Sequence, residues 1–491
     1  MDDRFILVID EGTTSTRAVA FATDGTVLAS RQVAIAQHYP RSGWVEHDAA
    51  EIWRSTLACA RGVIEDAGGA DRCAAIGITN QRETVVAWDR ASLEPLCRAI
   101  VWQDRRTADL CAQLQADGHE EMVQARTGLL LDPYFSASKM HWLLTHDDAV
   151  RDAAGNGRLA FGTVDSWLVA RLSGGAAHVT DASNASRTML YDIEGGTWDT
   201  ELLDLFGVAA DSLPRVIDSC GALAVSDAGL LGAAIPICGI AGDQQAAMIG
   251  QGCLAPGTTK ATYGTGAFVL THTGDAPTRS DHRLLATVLC QQDGKRSYAL
   301  EGSVFVAGSL VQYLRDTLGL IASAEETEVL ARSVPDNGGV TIVPALSGLG
   351  APHWRPDARG AITGLGFDTG KAHIARAALE AMAMQTRDLR AAFAADGADW
   401  TELRIDGGMS ANGWMAQDIA DMLDLPVTRP DFVETTALGA AMLAAVGAGM
   451  HGSLEDAAAA MIGAGSRFAP AMQAEVRQER IMLWEQALAA I

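Results

Sequence analysis

One pattern constrains this chain more than any other: an apolar strand that ends in a carboxylate and a glycine- and hydroxyl-rich turn between strands, a theme stated near the start and restated in the second half. Residues 5–9, Phe-Ile-Leu-Val-Ile, are a continuous apolar run closed by Asp10 and followed by Gly12-Thr13-Thr14-Ser15. A run of that kind reads as a central strand covered on both faces. Residues 17–21 and 27–36 read as a second and a third strand, the latter after the hairpin signal Asp24-Gly25, so the chain is expected to open on an antiparallel meander. Residues 236–242 are again apolar and end at Asp243, and residues 261–270 read as strand, Gly264-Thr265-Gly266 turn, strand. A third turn, Gly407-Gly408, follows the short run 403–406. Meander, helix, strand is an α/β order that is neither a simple Rossmann repeat nor a barrel.

Length turns this echo into domains. Single cores stop growing at roughly 250–300 residues, and this chain has 491, with 48% hydrophobic residues to fill two cores. The expected division is an N-terminal domain of residues 1–248 and a C-terminal domain of residues 249–491, with the turns facing one cleft. A helix follows Asp48, which with Glu51 three residues on has the capping-box spacing, and Ser410 is expected to cap a helix running to Leu423. The apolar stretch 437–450 is shorter than the ~20 residues of a membrane span and rich in Ala and Gly, so it reads as a tightly packed buried helix. The acidic start, Met1-Asp2-Asp3-Arg4, does not look like a secretion signal. Eight cysteines without Cys-x-x-Cys spacing read as reduced thiols of a cytoplasmic protein. A net charge of −24 with no basic stripe argues against nucleic acid and anionic membranes as partners.

The chemistry is read from the turns. The chain carries neither the P-loop pattern nor a dinucleotide fingerprint after its first strand. In their place, residues 10–17 offer backbone N–H groups and hydroxyls to phosphate oxygens, Arg17 a cationic fork, and Asp10 a carboxylate of the kind that holds Mg²⁺. The same segment also reads as an ordinary hairpin with Thr and Ser bonding the turn; the echo at Gly264–Gly266 favours phosphate. Asp243 is either the base that accepts a hydroxyl proton in phosphoryl transfer or a cap on the helix after it. Arg82-Glu83 is either a polyol cradle or a solvated loop pair. Trp102 and Phe268 either wall the carbon side of such a ligand or are core aromatics.

Nine segments together resemble the FGGY carbohydrate kinases over nearly the whole chain: 10–17, 39–53 (YPRSGWVEHDAAEIW), 77–84 (GITNQRET), 101–107 (VWQDRRT), 131–143 (LDPYFSASKMHWL), 239–247 (GIAGDQQAA), 262–268 (TYGTGAF), 300–315 (LEGSVFVAGSLVQYLR) and 406–412. Arg82-Glu83 with Trp102 and Tyr134 favours the glycerol-phosphorylating branch of that family over its xylulose and gluconate branches. The resemblance implies two actin-like, ribonuclease H-like domains flanking an ATP and substrate cleft, and the reaction of ATP-Mg²⁺ with glycerol to give glycerol 3-phosphate and ADP. By similarity, Arg82, Glu83, Tyr134, Asp243 and Gln244 hold the glycerol hydroxyls, with Trp102 and Phe268 against its carbons. Asp243 is implied as the base, with Asp10 and Asp243 on the metal side. Thr13, Thr14, Ser15, Arg17, Thr265, Gly308, Gln312, Gly408 and Asn412 are implied to hold the nucleotide. A homodimer or homotetramer is the analogy's expectation. A ketose or another small polyol such as dihydroxyacetone or erythritol is the alternative substrate, and an actin-like ATPase that transfers phosphate only to water is the alternative of another class.

Two departures matter. Many members carry Gln at the position of Glu11, so this chain places an extra carboxyl beside the phosphate turn: it points away, or it weakens ATP. Members inhibited by fructose 1,6-bisphosphate carry Gly-Gly-Thr-Arg where this chain has Leu231-Gly232-Ala233-Ala234, so inhibition by that sugar phosphate is expected to be weak or absent.

Overall fold

In the computed structural model, which describes residues 3–355, 357–432 and 434–491, the opening run is strand β1 (Phe5–Glu11), with Phe5 to Ile9 at 0% exposure. Met1 and Asp2 of the acidic start lie outside the described residues. The strand pairs antiparallel with β2 (Ser15–Ala22), which pairs antiparallel with β3 (Val27–Ala34). This is the meander expected from the sequence. On its other side β1 runs parallel to β4 (Cys73–Asn80). Strands β5 (Cys220–Val225) and β6 (Pro236–Gly242) complete a six-stranded sheet of order β5-β6-β4-β1-β2-β3.

A seven-stranded sheet repeats that core. It contains β7 (Thr258–Tyr263), β8 (Ala267–Gly274), β9 (Leu285–Gln292), β10 (Lys295–Val304), β11 (Glu402–Asp406), β12 (Val427–Pro430) and β13 (Gly465–Phe468), in the order β9-β10-β8-β7-β11-β12-β13. Strands β10-β8-β7 are antiparallel and β7, β11 and β12 are parallel, which reproduces β3-β2-β1-β4-β6 strand for strand. The echo in the sequence is therefore an echo of whole sheets. Parallel strands place their carboxyl ends at one edge, where ligands bind in open α/β sheets. Asp10 pairs with Thr79 and Gly242 with Asn80, so β1 and the helix after β6 deliver Asp10 and Asp243 to that edge.

Helix α1 (Ala49–Asp66) packs on β1, β2 and β3. Asp48 caps it, accepting from the N–H groups of Ala50 and Glu51 at 2.8 and 3.2 Å. The reciprocal half of a capping box is not made, because Glu51 instead accepts from the N–H of Ala36 at 3.4 Å. Helix α2 (Asp243–Gly250) follows β6 directly. Helix α3 (Gly413–Leu423) corrects a second expectation: its cap is Asn412, whose Oδ1 accepts from Met415 N–H at 2.9 Å. Ser410 lies one turn earlier in the 3₁₀ segment Gly408–Ala411, where its hydroxyl donates to Gly407 O at 2.7 Å.

Helix α4 (Thr435–Gly447) is the apolar, Ala-rich stretch, and it lies late in the chain yet packs on β6, β4 and β1 of the first sheet and crosses α2. Small residues permit the approach. A Cβ built on Gly439 would sit 1.8 Å from Ala246 O, and one on Gly250 1.9 Å from Thr435 O. The start of α4 is tied to β11, where Asp406 accepts from Thr435 Oγ1 at 2.5 Å and from Gln251 Nε2, just after α2, at 2.7 Å. All eight cysteines are free, and all but Cys97 are buried. Among the described residues no helix is long and apolar enough to cross a membrane.

Candidate active site

Two turns of the same kind face the cleft edge. Gly12 N–H donates to Ser15 O at 3.0 Å between β1 and β2, and Gly264 N–H to Gly266 O at 2.9 Å between β7 and β8. In the first, Thr13 Oγ1 accepts from Trp102 Nε1 at 2.9 Å and Ser15 Oγ from Gln32 Nε2 at 2.7 Å, while Thr14 is exposed. Arg17 is ion-paired with Glu434 at the cap of α4. In the second, Thr265 is exposed and its carbonyl accepts from Ala307 N–H at 2.9 Å, while Gly308 N–H reaches Gly264 O at 2.9 Å. Gln312 ends the short helix Gly308–Gln312 and is exposed. Gly408 is exposed, and a Cβ built on Gly308 would lie 3.2 Å from Cγ of Met409, the neighbour of Gly408. Asn412 caps α3 and also donates to Thr327 Oγ1 at 3.2 Å.

Glu11 points away from the Gly12–Ser15 turn. It is fully buried under α1, where Thr16 and Thr56 hydroxyls donate to its two oxygens at 2.7 and 3.0 Å. Burial pushes its carboxyl from 4.5 up to about 8, with the two hydroxyls pulling it down and Asp10 adding to the rise. Folding therefore takes up a proton at Glu11. The stabilisation is complete below about 4.5, declines as pH rises, and is gone above about 8. The melting temperature of the wild type is expected to fall more steeply between pH 6 and pH 9 than that of Glu11→Gln. Parallel curves would show that Glu11 carries no such linkage.

The second cluster surrounds Arg82 and Glu83. Their segment leaves β4 in a sharp bend: Thr84 N–H donates to Arg82 O at 2.7 Å, and Glu83 holds φ of 61°. That left-handed backbone costs a non-glycine residue roughly 1–2 kcal/mol. It turns two sequence neighbours to one site, which a regular strand would point to opposite faces. The solvated-pair reading fails, because Arg82 is 3% and Glu83 1% exposed. Arg82 Nε lies 3.3 Å from Asp243 Oδ1, and its Nη2 donates to Tyr134 Oη at 3.4 Å. The Tyr134 and Trp102 rings meet edge-on at 5.6 Å between centroids, and half-buried Trp102 is tied through its Nε1 to Thr13 of the first turn. Phe268, on β8, is half-buried against the apolar cluster that α2 and α4 share.

Asp243 opens α2, with Gly242 at the cap position, and accepts from Gln244 N–H at 2.7 Å. It thus makes a helix-start contact and still faces the cleft. Burial raises its carboxyl above the usual range, opposed by Arg82 and Lys260. Asp10 is pushed up to about 6 by burial, with Arg17 lowering it and Asp243 raising it further. The charge of Asp243 thus reaches Asp10 and adds to its rise.

Four participants escaped the sequence reading. Lys260, on β7, is fully buried and donates to Gln244 Oε1 at 2.5 Å, which leaves the amide NH₂ of Gln244 as a donor. Arg187 donates to Glu83 Oε1 at 2.7 Å and to Glu301 Oε1 at 2.9 Å; Glu301 Oε2 accepts from Arg82 at 2.6 Å. Gln245 Oε1 accepts a longer bond from Arg82 at 3.4 Å. The available signal for Lys260 and Glu301 was a lone charge inside an otherwise strand-like run.

The arrangement combines two glycine- and hydroxyl-bearing turns, the carboxylates Asp10 and Asp243, and a buried cluster with both donors and acceptors. Comparison with known proteins agrees with it. The family model for the FGGY family of carbohydrate kinases, N-terminal domain, matches residues 5–250, and that for the C-terminal domain matches residues 259–448. The glycerol kinase of Rhodospirillum centenum is 56% identical over 98% of this chain and 97% of that protein. That of Dechloromonas aromatica is 54% identical over 99% of this chain and 97% of its own length. The crystal structure of Plasmodium falciparum glycerol kinase with ADP matches with a TM-score of 0.95 at 33% identity, covering 99% of this chain and 98% of that one. The fold is the two-domain actin-like, ribonuclease H-like one expected from the resemblance. With both of its domains matched and relatives more than half identical over nearly its full length, the chain belongs to the FGGY family of carbohydrate kinases.

Proposed function

We propose that this chain phosphorylates glycerol with ATP, giving sn-glycerol 3-phosphate and ADP in glycerol catabolism. The observation that carries the reading is the buried Arg82-Glu83 pair, with Arg82 facing Asp243, which a kinase acting only on water would not need. Arg82, Glu83, Tyr134 and Gln244 hold the hydroxyls, and Trp102 and Phe268 cover the carbons. Asp243 accepts the proton of the primary hydroxyl as its oxygen bonds to the γ-phosphorus and the bond to the bridging oxygen of ADP breaks. Thr13, Thr14, Ser15 and Arg17 take the phosphates. Thr265, Gly308, Gln312, Gly408 and Asn412 take the rest of the nucleotide. Arg17 exchanges Glu434 for phosphate as it does so. Asp10 and Asp243 suit Mg²⁺, which usually accepts one or two carboxylates with phosphate oxygens and would neutralise charge on the transferring group.

We take the chain to divide at 248/249, with most glycerol and phosphate contacts in residues 1–248 and the adenine-nucleotide contacts, with Phe268, in residues 249–491. We also take the enzyme to be cytoplasmic, to assemble as a homodimer or homotetramer, and to be inhibited weakly or not at all by fructose 1,6-bisphosphate. Strong inhibition by low millimolar concentrations of that sugar phosphate in a steady-state assay would overturn the last point. Substrate identity is tested by ADP release with glycerol, dihydroxyacetone, erythritol, xylulose, gluconate or no acceptor. Glycerol is expected to give the highest kcat/KM; equal rates with and without it would end the reading.

A further inference from the structure

Behind the cradle lies an ion cluster that the proposed contacts with substrate do not explain. Arg82, Glu83, Arg187 and Glu301 are each 3% exposed or less. They come from distant parts of the chain: Arg82 and Glu83 follow β4, Arg187 lies just past the short helix Ala182–Ala185, and Glu301 is on β10 of the second sheet. The two charges of each sign balance. Enclosing four of them is costly, and a buried salt bridge is weak support for stability, since apolar residues of similar volume often serve as well. Fixing the direction of a side chain is a better-matched task.

The bonding pattern fits that task. Glu301 uses one oxygen for Arg82 and the other for Arg187, and Arg187 uses one fork position for Glu301 and another for Glu83. Arg82 is thus gripped through Nη1, while its Nε and Nη2 are directed at Asp243 and Tyr134. Glu83 is gripped through Oε1. Arg187 also lies against the rings of Tyr134 and Phe135, at 5.7 and 5.4 Å from their centroids. It therefore backs two residues of the cradle, Glu83 and Tyr134, at once. Burial alone would raise the Glu301 carboxyl, but Arg187 and Arg82 bring it down to about 2, so it is charged throughout the working range.

We propose that Glu301 and Arg187 are positioning residues for substrate: a carboxylate from the second sheet, acting directly and through Arg187, sets the angle at which Arg82 and Glu83 meet the acceptor hydroxyls. The proposal rests on the glycerol reading above. It also makes glycerol recognition depend on how the second sheet is seated against the first half, because Glu301 is the only second-sheet member of the four.

The test is ADP release by wild type, Glu301→Gln, Glu301→Asp and Arg187→Lys, with glycerol and ATP varied separately. Glutamine has one carbonyl oxygen for two guanidinium groups, so one arginine loses its acceptor. The KM for glycerol is expected to rise on the order of 10²-fold, with the KM for ATP within about 2-fold of wild type and a smaller change in kcat. Glu301→Asp and Arg187→Lys keep the charge and lose the reach, and should show the same split on a smaller scale. They decide the matter if Glu301→Gln does not fold. A glycerol-dependent wild type whose variants shift both KM values alike, or neither, overturns this proposal alone and leaves a cluster that only joins the two halves. A wild type whose ADP release ignores glycerol overturns the substrate reading and this proposal with it.

Discussion

Asp243→Asn is expected to turn over glycerol about 10³-fold more slowly than wild type, with its melting temperature within a few degrees of wild type. General base catalysis is typically worth 10²–10⁴-fold, and the amide oxygen of asparagine has almost no basicity. The fold should tolerate the change. The carbonyl oxygen can still accept from Gln244 N–H, now 2.7 Å from Oδ1, and can still face Arg82 Nε at 3.3 Å. Nor does the protein lose a favourable charge, because burial already holds this carboxyl above its usual range and Asp10 is raised in turn by Asp243. The measurement is single-turnover ADP formation at saturating ATP and glycerol, alongside a thermal melt. Near-normal turnover would mean that another group takes the proton. A variant that melts far below wild type would mean that Asp243 serves mainly as the first residue of α2.

The parts of the fold legible beforehand are those whose partners are close in sequence or whose chemistry repeats. Residues 5–9 could only be a two-sided strand, and Asp24-Gly25 fixes its hairpin neighbours within a few residues. Asp10, Asp243 and the two glycine turns were visible because the same construction occurs twice. What stayed hidden depends on long-range pairing. Arg82 and Glu301 are 219 residues apart, and a lone Glu in an apolar strand does not say which cation will meet it. Lys260 was hidden for the same reason. Ser410 and Asn412 are both good caps, and only the intervening 3₁₀ turn decides between them. Glu83 is a subtler case: sequence says that strand neighbours diverge, and a positive φ at one residue reverses the rule.

Helix α4 shows the same limit in its packing, and it yields the other large effect. Its all-round apolar surface predicts burial without naming the sheet that buries it. The structure sets it against the first sheet, with Gly439 on the carbonyl of Ala246 and Gly250 on that of Thr435. Gly439→Ala therefore brings two effects into opposition. Helix propensity favours alanine over glycine by about 1 kcal/mol. Against it stands a methyl whose built position is 1.8 Å from a backbone oxygen, where neither atom is the free end of a flexible side chain. Overpacking of a dense interior typically costs 1–3 kcal/mol and sometimes more, and here relief requires α2 and α4 to separate. A net loss of about 2–3 kcal/mol in urea unfolding is expected, a large share of the 5–15 kcal/mol that holds a typical protein together. Activity should fall as well, because α2 begins at Asp243 and a shift of that helix moves the base relative to Arg82. Gly439→Ala that unfolds at or above the wild-type midpoint would show that propensity wins and that the crossing is looser than its geometry indicates.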